Sequence, residues 1–179
     1  ALTAHGKDFE LHSYEGAGHA FFSVNRTAYR PEAAMEDEIS DNIHGVLWSK
    51  LTYRCLGFVG SLADASLATS CAGAANRRLL ADFLAEVVAV GTAAGARFIP
   101  LAEYNPPDLH PRNPVEKRLA VVNEMAKSWK DDDRKGPLRQ IQNGIKTEAE
   151  FTLAYVVHHG EKMNIFTPLC RKLLTMIHE

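Results

Sequence analysis

The pattern of hydrophobic and polar positions changes near residue 42. Before it, "DFELHSY" (residues 8–14) alternates apolar and polar side chains, which is typical of a β-strand, and Pro31 begins a short helix after a loop. After it, apolar residues recur at steps of three and four, as on the buried face of a helix. The pattern predicts a mainly α protein, a bundle of about five helices preceded by a short strand–loop–helix segment. The predicted helices cover residues 42–62, 76–95, 114–133, 148–163 and 167–179.

Local signals set the expected helix ends. Asn76 is the expected N-cap of the second helix, and Gly95 its stop. "RKGPLRQIQNG" (residues 134–144) is predicted to be a connection, because it contains two glycines and a proline. In the first long helix we expect an apolar face, with Lys50 and Arg54 on or beside it. The apolar members of that face are Ile43, Val46, Leu47, Leu51, Cys55 and Phe58.

Composition narrows the class of protein. The chain has 179 residues, of which 46% are hydrophobic and 23% charged, as in one ordinary domain or one domain with an attached fragment. The formal net charge is -2 and the basic residues form no long run, so we expect no nucleic-acid partner. No apolar run reaches the roughly 18 residues that a membrane helix needs, so no membrane partner is expected either.

Cysteine and histidine spacing argues against metal and disulfide sites. The three cysteines lack CxxC spacing, and none of the eight histidines forms an HxxxH or HExxH pair. We therefore predict no metal site and a reducing location, the cytoplasm. The glycine patterns GxGxxG and GxxxxGK[ST] are absent from the 179 residues, so a complete nucleotide site is not expected in them. A strand so close to Ala1 suggests that the chain is part of a longer protein.

The segment "FELHSYEGAGHAFF" with "RTAYRPEAA" resembles the C-terminal end of dienelactone hydrolases, over about residues 1–39. The resemblance implies that His19 is the triad histidine that manages the proton of a cysteine nucleophile. The cysteine and the aspartate would lie upstream of Ala1, and Cys55 and Cys71 lack the elbow pattern that could replace that cysteine. Alternatively, His19 is simply a histidine in a glycine turn.

A second resemblance covers about residues 40–179. "NIHGVLWSKL", "SW...D", "NGIKTEAEFTLAYVVHHGEKMNIFTP" and "CRKLLTMI" resemble the C-terminal helical domain of ketopantoate reductases, which are NADPH-dependent. The resemblance implies a fold like the C-terminal domain of 6-phosphogluconate dehydrogenase, a 2-oxo acid substrate and NADP as cofactor. It also implies a nucleotide-binding domain, upstream or on a separate chain, and a homodimer. Without that domain we expect this chain alone to be inactive.

The reductase resemblance also assigns roles to residues. It implies that Lys50 is the general acid, Glu148 the substrate anchor and Ser128 the ligand of the substrate carboxylate. Arg54 stands where the family usually has asparagine, and Phe58 where a second polar residue is common. We predict that Arg54 binds the substrate. The two departures affect the predicted pantoate-type substrate more than the predicted fold.

Each of these residues also has an ordinary structural explanation. Lys50 could extend from an apolar helix face to solvent, Glu148 could be a first-turn carboxylate that the helix dipole favours, and Ser128 a solvated helix-end serine. Three functions stay open: a reductase domain, a hydrolase remnant fused to a helical module, and a non-catalytic oligomerisation or binding module. The reductase hypothesis requires Lys50, Ser128 and Glu148 to converge on one cleft.

Overall fold

The computed structural model describes residues 42–178, apart from 102–103 and 132–135. The chain divides into two units at residue 42, and the description concerns the second unit. The predicted strand, loop and helix of residues 8–39, with His19, lie outside it. The described helices are α1 (Ile43–Leu62), α2 (Leu67–Ser70), α3 (Ala74–Ala93), α4 (Val115–Ala126), α5 (Gly136–Gln142), α6 (Leu153–Lys162) and α7 (Pro168–His178). Two 3-10 turns, Pro106–Leu109 and Glu148–Phe151, precede α4 and α6.

The mainly helical fold predicted from the sequence is confirmed, with differences at several ends. α3 begins at Ala74 after Gly73, and the Asn76 side chain donates to the Ser70 carbonyl (2.8 Å) instead of capping the helix. Residues 136–142 form α5, so the predicted connection is wrong there; Pro137 stands in the first turn, where a missing N–H costs nothing. The predicted fourth helix opens instead as the 3-10 turn Glu148–Phe151, with the Thr147 hydroxyl accepting the Ala149 N–H.

Helix α3 lies at the centre of the bundle. It contacts α1, α4, α6, α7 and the first 3-10 turn. Its buried residues lie on nearly every side of the helix: Leu80, Ala81, Phe83, Leu84, Ala85, Val87, Val88, Val90 and Gly91. A helix that is apolar almost all round is typical of the middle of a core, and α1, α4, α6 and α7 are arranged against it.

Helix α1 is rotated relative to the face expected from the sequence. Trp48, Ser49 and Thr52 are buried, whereas Ile43 and Leu47 are about half exposed (49% and 56%). The predicted apolar face is therefore wrong in the first half of α1, where Trp48 and small residues are buried in place of Ile43 and Leu47. It is right in the second half, where Cys55 and Phe58 are fully buried. The exposed side of α1 consequently presents Leu47 together with Lys50 and Arg54, at helical steps of three and four.

Buried polar side chains of α1 and α3 fix the neighbouring segments. The Ser49 hydroxyl donates to the Ile99 carbonyl (3.0 Å) and accepts the Ile99 N–H (2.9 Å), which holds the segment after α3 against α1. On α3, the two carboxylate oxygens of Glu86 accept the backbone N–H groups of Leu169 (3.0 Å) and Cys170 (2.9 Å). These bonds satisfy the free amides in the first turn of α7. Within the described residues, no helix is both long enough and apolar enough to span a bilayer.

The close packing of α1 against α3 depends on Gly91. A β-carbon at this position would lie 2.8 Å from Cε3 of Trp48 and 2.6 Å from Cζ of Phe98. We predict that Gly91→Ala lowers the free energy of unfolding by about 1–3 kcal/mol through overpacking, although alanine is the better helix former. Urea unfolding and the near-UV circular dichroism of Trp48 measure the change.

Gly73→Ala is the matched control, because a β-carbon at position 73 would meet nothing within 4 Å and the φ of Gly73 is negative. We expect this N-cap change to cost no more than about 1 kcal/mol. Equal stability of Gly91→Ala and the parent chain would contradict the close packing.

Candidate functional site

An open cavity of about 410 Å³ lies between α1 and the start of α6. This volume is within the usual range for small-molecule sites. Its lining combines cations with apolar and aromatic side chains: His44, Leu47, Trp48, Lys50, Leu51, Arg54, Phe151 and Tyr155. We call it the α1 cavity.

An ion pair between α1 and the second 3-10 turn lies at the edge of the α1 cavity. Arg54 Nε donates to Glu148 Oε2 (3.0 Å), and the Arg54 Nη2 group contacts the same oxygen. Both side chains are about half exposed (45% and 42%). The Thr152 hydroxyl donates to the Glu148 carbonyl (2.8 Å) and fixes the turn that carries the carboxylate. The pair therefore connects α1 to a turn 94 residues later.

Lys50 stands one helical turn before Arg54 and lines the same cavity. Lys50 is exposed to solvent. Residues four apart lie on one side of a helix, and the two cations thus face one space. Among the described residues, Lys50 has no hydrogen-bond or ion-pair partner, which leaves its ammonium available to a ligand.

Aromatic rings from α1 and α6 form the apolar part of the wall. The Tyr155 and His159 rings lie 4.0 Å apart, and the Trp48 ring lies 5.7 Å from that of Tyr155. Trp48 Nε1 donates to His44 Nε2 (3.1 Å). The sequence analysis did not predict this aromatic group. The spacing of four residues in both pairs, 44 with 48 and 155 with 159, was the available signal.

Comparison with known families and structures bears on this arrangement. A family model described as "Ketopantoate reductase PanE/ApbA C terminal" matches residues 42–179. The chain belongs to this family. A comparison with curated protein sequences gives no significant match.

Solved structures share the fold of the ketopantoate reductase C-terminal domain. One is a PanE/ApbA family ketopantoate reductase from Ralstonia eutropha JMP134 (TM-score 0.64, 19% identity, covering 82% of this chain and 44% of that one). Another is a dimeric ketopantoate reductase from Staphylococcus aureus (TM-score 0.62, 14% identity, 82% and 48%). A third is D-mandelate dehydrogenase with NADH and anilino(oxo)acetate (TM-score 0.58, 17% identity, 83% and 44%). The chain spans less than half the length of each of these structures.

Of the residues singled out by the ketopantoate reductase resemblance, the structure brings together Lys50, Arg54 and Glu148. Ser128 is not among the residues that line the α1 cavity. It follows the last turn of α4, where its hydroxyl donates to the Met125 carbonyl (2.8 Å). Phe58 is fully buried, so this departure from the family pattern concerns the core and not the cavity.

The hydrolase resemblance gains no support from the described residues, because His19 and the rest of residues 1–39 lie outside them. The thiols of the helical domain are poor nucleophiles. Burial raises the pKa of Cys55 to about 12 and that of Cys71 to about 11, with Arg77 lowering the latter slightly. At neutral pH both are protonated, and a thiolate is the reactive form.

A larger cavity, of about 600 Å³, lies beside α3 and the start of α7. Its carboxylates already have partners. Asp82 accepts from Arg78 (2.8 Å) and Arg118 (2.7 Å), and Glu86 holds the first turn of α7 as described above. These groups stabilise the fold, and we place the candidate functional site at the α1 cavity. Among the described residues, no group of three or more His, Cys, Asp or Glu side chains could hold a metal ion.

We predict that the Arg54–Glu148 pair contributes little to stability, because exposed ion pairs are worth up to about 1 kcal/mol. A double-mutant cycle with Arg54→Met and Glu148→Gln, followed by urea unfolding, measures the coupling. The matched control is the cycle of Arg171 and Glu161, a pair of similar exposure (56% and 53%) remote from the cavity. A coupling above about 2 kcal/mol at Arg54–Glu148 alone would show that the pair is structural.

Proposed function

We propose that residues 42–179 are the substrate-side helical domain of a nicotinamide-dependent 2-oxo acid reductase of the ketopantoate reductase type, with NADP as cofactor. The observation that carries the proposal is that Lys50 and Arg54 line one cavity from a single helix, with Glu148 bonded to Arg54. An anionic substrate with a polarised carbonyl requires such a pair of cations: one for its carboxylate and one beside the carbonyl oxygen.

Lys50 is the proposed general acid. Reduction of a ketone leaves negative charge on its oxygen, and the Lys50 ammonium would donate a proton to that atom. Arg54 would bind the substrate carboxylate, the role that the resemblance assigned to Ser128, because Arg54 lines the cavity and Ser128 does not. Glu148 would orient Arg54, since its Oε2 accepts the Arg54 Nε–H and contacts Nη2.

The nicotinamide cofactor would supply the hydride. The described residues contain no glycine-rich strand–turn–helix to hold its nucleotide, so they alone do not fit the whole cofactor. The proposal therefore includes a nucleotide-binding domain, upstream or on a separate chain. The D-mandelate dehydrogenase structure with NADH and anilino(oxo)acetate supports a nicotinamide and an oxo acid for this fold.

Two further parts of the proposal concern assembly and location. The ketopantoate reductase from Staphylococcus aureus is dimeric, which supports a homodimer here. All three cysteines of the chain are free and buried, which supports a reducing compartment, the cytoplasm. The alternative function, a non-catalytic oligomerisation or binding module, is favoured by one observation, the missing nucleotide cradle in the described residues.

Expression of the whole reading frame that encodes this chain, assayed for NADPH-dependent reduction of 2-oxo acids, tests the proposal. We predict that Lys50→Met lowers kcat by about 100-fold or more with a smaller change in KM, because proton donation acts in the transition state.

Lys162→Met, which removes an exposed lysine in the last turn of α6 away from the cavity, is the control and should leave kcat unchanged. An unchanged kcat for Lys50→Met would exclude Lys50 as the acid. A parent protein without any 2-oxo acid reduction would favour the non-catalytic module.

A further inference from the structure

The α1 cavity has a wall of exposed apolar side chains. Phe151 is 83% exposed, Leu47 56% and Tyr155 40%, and all three line the cavity. Leu51 is half-buried beside them, and the buried Trp48 closes the wall. Large apolar side chains that are clustered and exposed usually mark a surface that binds something apolar. The cations of the cavity thus stand next to a surface suited to a hydrocarbon or aromatic group.

Two hydrogen-bond acceptors near this wall already have a donor. Glu148 Oε2 accepts the Arg54 Nε–H, and no carboxylate is among the described residues that line the cavity. His44 Nε2 accepts the Trp48 Nε1–H (3.1 Å). A substrate hydroxyl would compete with these donors or stay hydrated at the open side of the cavity, so it would gain less from the wall than a hydrocarbon group. Unpaired polar groups are costly to bury.

We propose that the α1 cavity selects 2-oxo acids with an apolar side chain of about phenyl size over hydroxylated aliphatic 2-oxo acids. This inference rests on the proposed function, since it names the substrate class of the same site. Arg54 binds the carboxylate that both classes of acid carry, so the apolar wall determines the selectivity. Phe151, Tyr155 and Leu47 provide the surface against which the side chain packs.

The arrangement accounts for all three parts of such a substrate. Lys50 and Arg54 lie one helical turn apart, about 5–6 Å between β-carbons, which suits a carbonyl and its adjacent carboxylate. An aromatic ring attached to the other side of the carbonyl would contact Phe151 and Tyr155 and bury their exposed surface. A hydroxylated aliphatic chain would bury less apolar area.

Isothermal titration calorimetry of the full 179-residue chain with phenylpyruvate and with ketopantoate tests the inference without needing the cofactor. We expect phenylpyruvate to bind at least about tenfold more tightly, the scale of discrimination that a hydrophobic pocket provides. The ratio of the two Kd values is the readout, because partial misfolding lowers both affinities without changing their ratio.

Phe151→Ala should bring the ratio towards one by weakening phenylpyruvate alone. Its matched control is Phe166→Ala, since Phe166 is equally exposed (84%) but lines the larger cavity beside α3. Arg54→Asn should weaken both ligands through the lost carboxylate contact and leave their ratio nearly unchanged, because both acids carry that carboxylate.

The outcomes distinguish failure of the selectivity from failure of the proposed function. Tighter binding of phenylpyruvate that Phe151→Ala removes and Phe166→Ala preserves supports the inference. Equal or tighter binding of ketopantoate overturns the selectivity and leaves the proposed function standing. Failure of both acids to bind at millimolar concentration overturns the assignment of the substrate site to this domain, and the selectivity with it.

Discussion

The contact of Trp48 with Gly91 is the constraint on which the arrangement of the site depends. The indole lies where a β-carbon at position 91 would be, so α1 and α3 approach closely at this point and α1 has little freedom to rotate. The two hydrogen bonds between Ser49 and Ile99 fix the same turn of α1. With Trp48 and Ser49 directed inward, the next residues around the helix, Leu47 and Lys50, must be directed outward.

This rotation places the two cations of α1 in the α1 cavity. A helix turned so as to bury Leu47 would carry Lys50 and Arg54 towards the core, where unpaired cations are costly. In the observed orientation the cations share an open cavity with aromatic side chains of α6 and of the turn before it. Glu148 lies in the same turn and accepts a hydrogen bond from Arg54. The site is therefore a product of packing at the opposite face of α1, and it needs no buried charge of its own.

Part of this fold could be predicted from the sequence. The helical steps and the boundaries at Gly95 and Pro114 are local signals, and α1, α3 and α7 lie close to where they indicate. α4 begins where Pro114 indicates but ends at Ala126, well before the predicted end at residue 133. The rotation of α1 could not be predicted in this way, because aliphatic residues at helical spacing are equally suited to a core and to the wall of a cavity. α5 was missed because its proline and flanking glycines indicate a turn, although proline is compatible with a first helical turn.

The site was predictable to a similar extent. Family resemblance pointed to Lys50 and Glu148, but the ion pair that brings Glu148 to Arg54 spans 94 residues and has no local signal. Ser128 was assigned from a short sequence word, whereas its hydroxyl bonds to the carbonyl three residues before it, a common fate of a serine at a helix end. The only sequence signal for the aromatic wall was the four-residue spacing of aromatic side chains within α1 and α6.

We propose that this domain binds a 2-oxo acid in the α1 cavity. Titration of the ¹⁵N-labelled chain with oxamate, an unreactive 2-oxo acid analogue, followed by two-dimensional NMR, tests it most directly. The account predicts that the largest amide shift changes fall within residues 44–54 and 148–155. Shift changes centred on residues 125–129, or on the larger cavity beside α3, would contradict it.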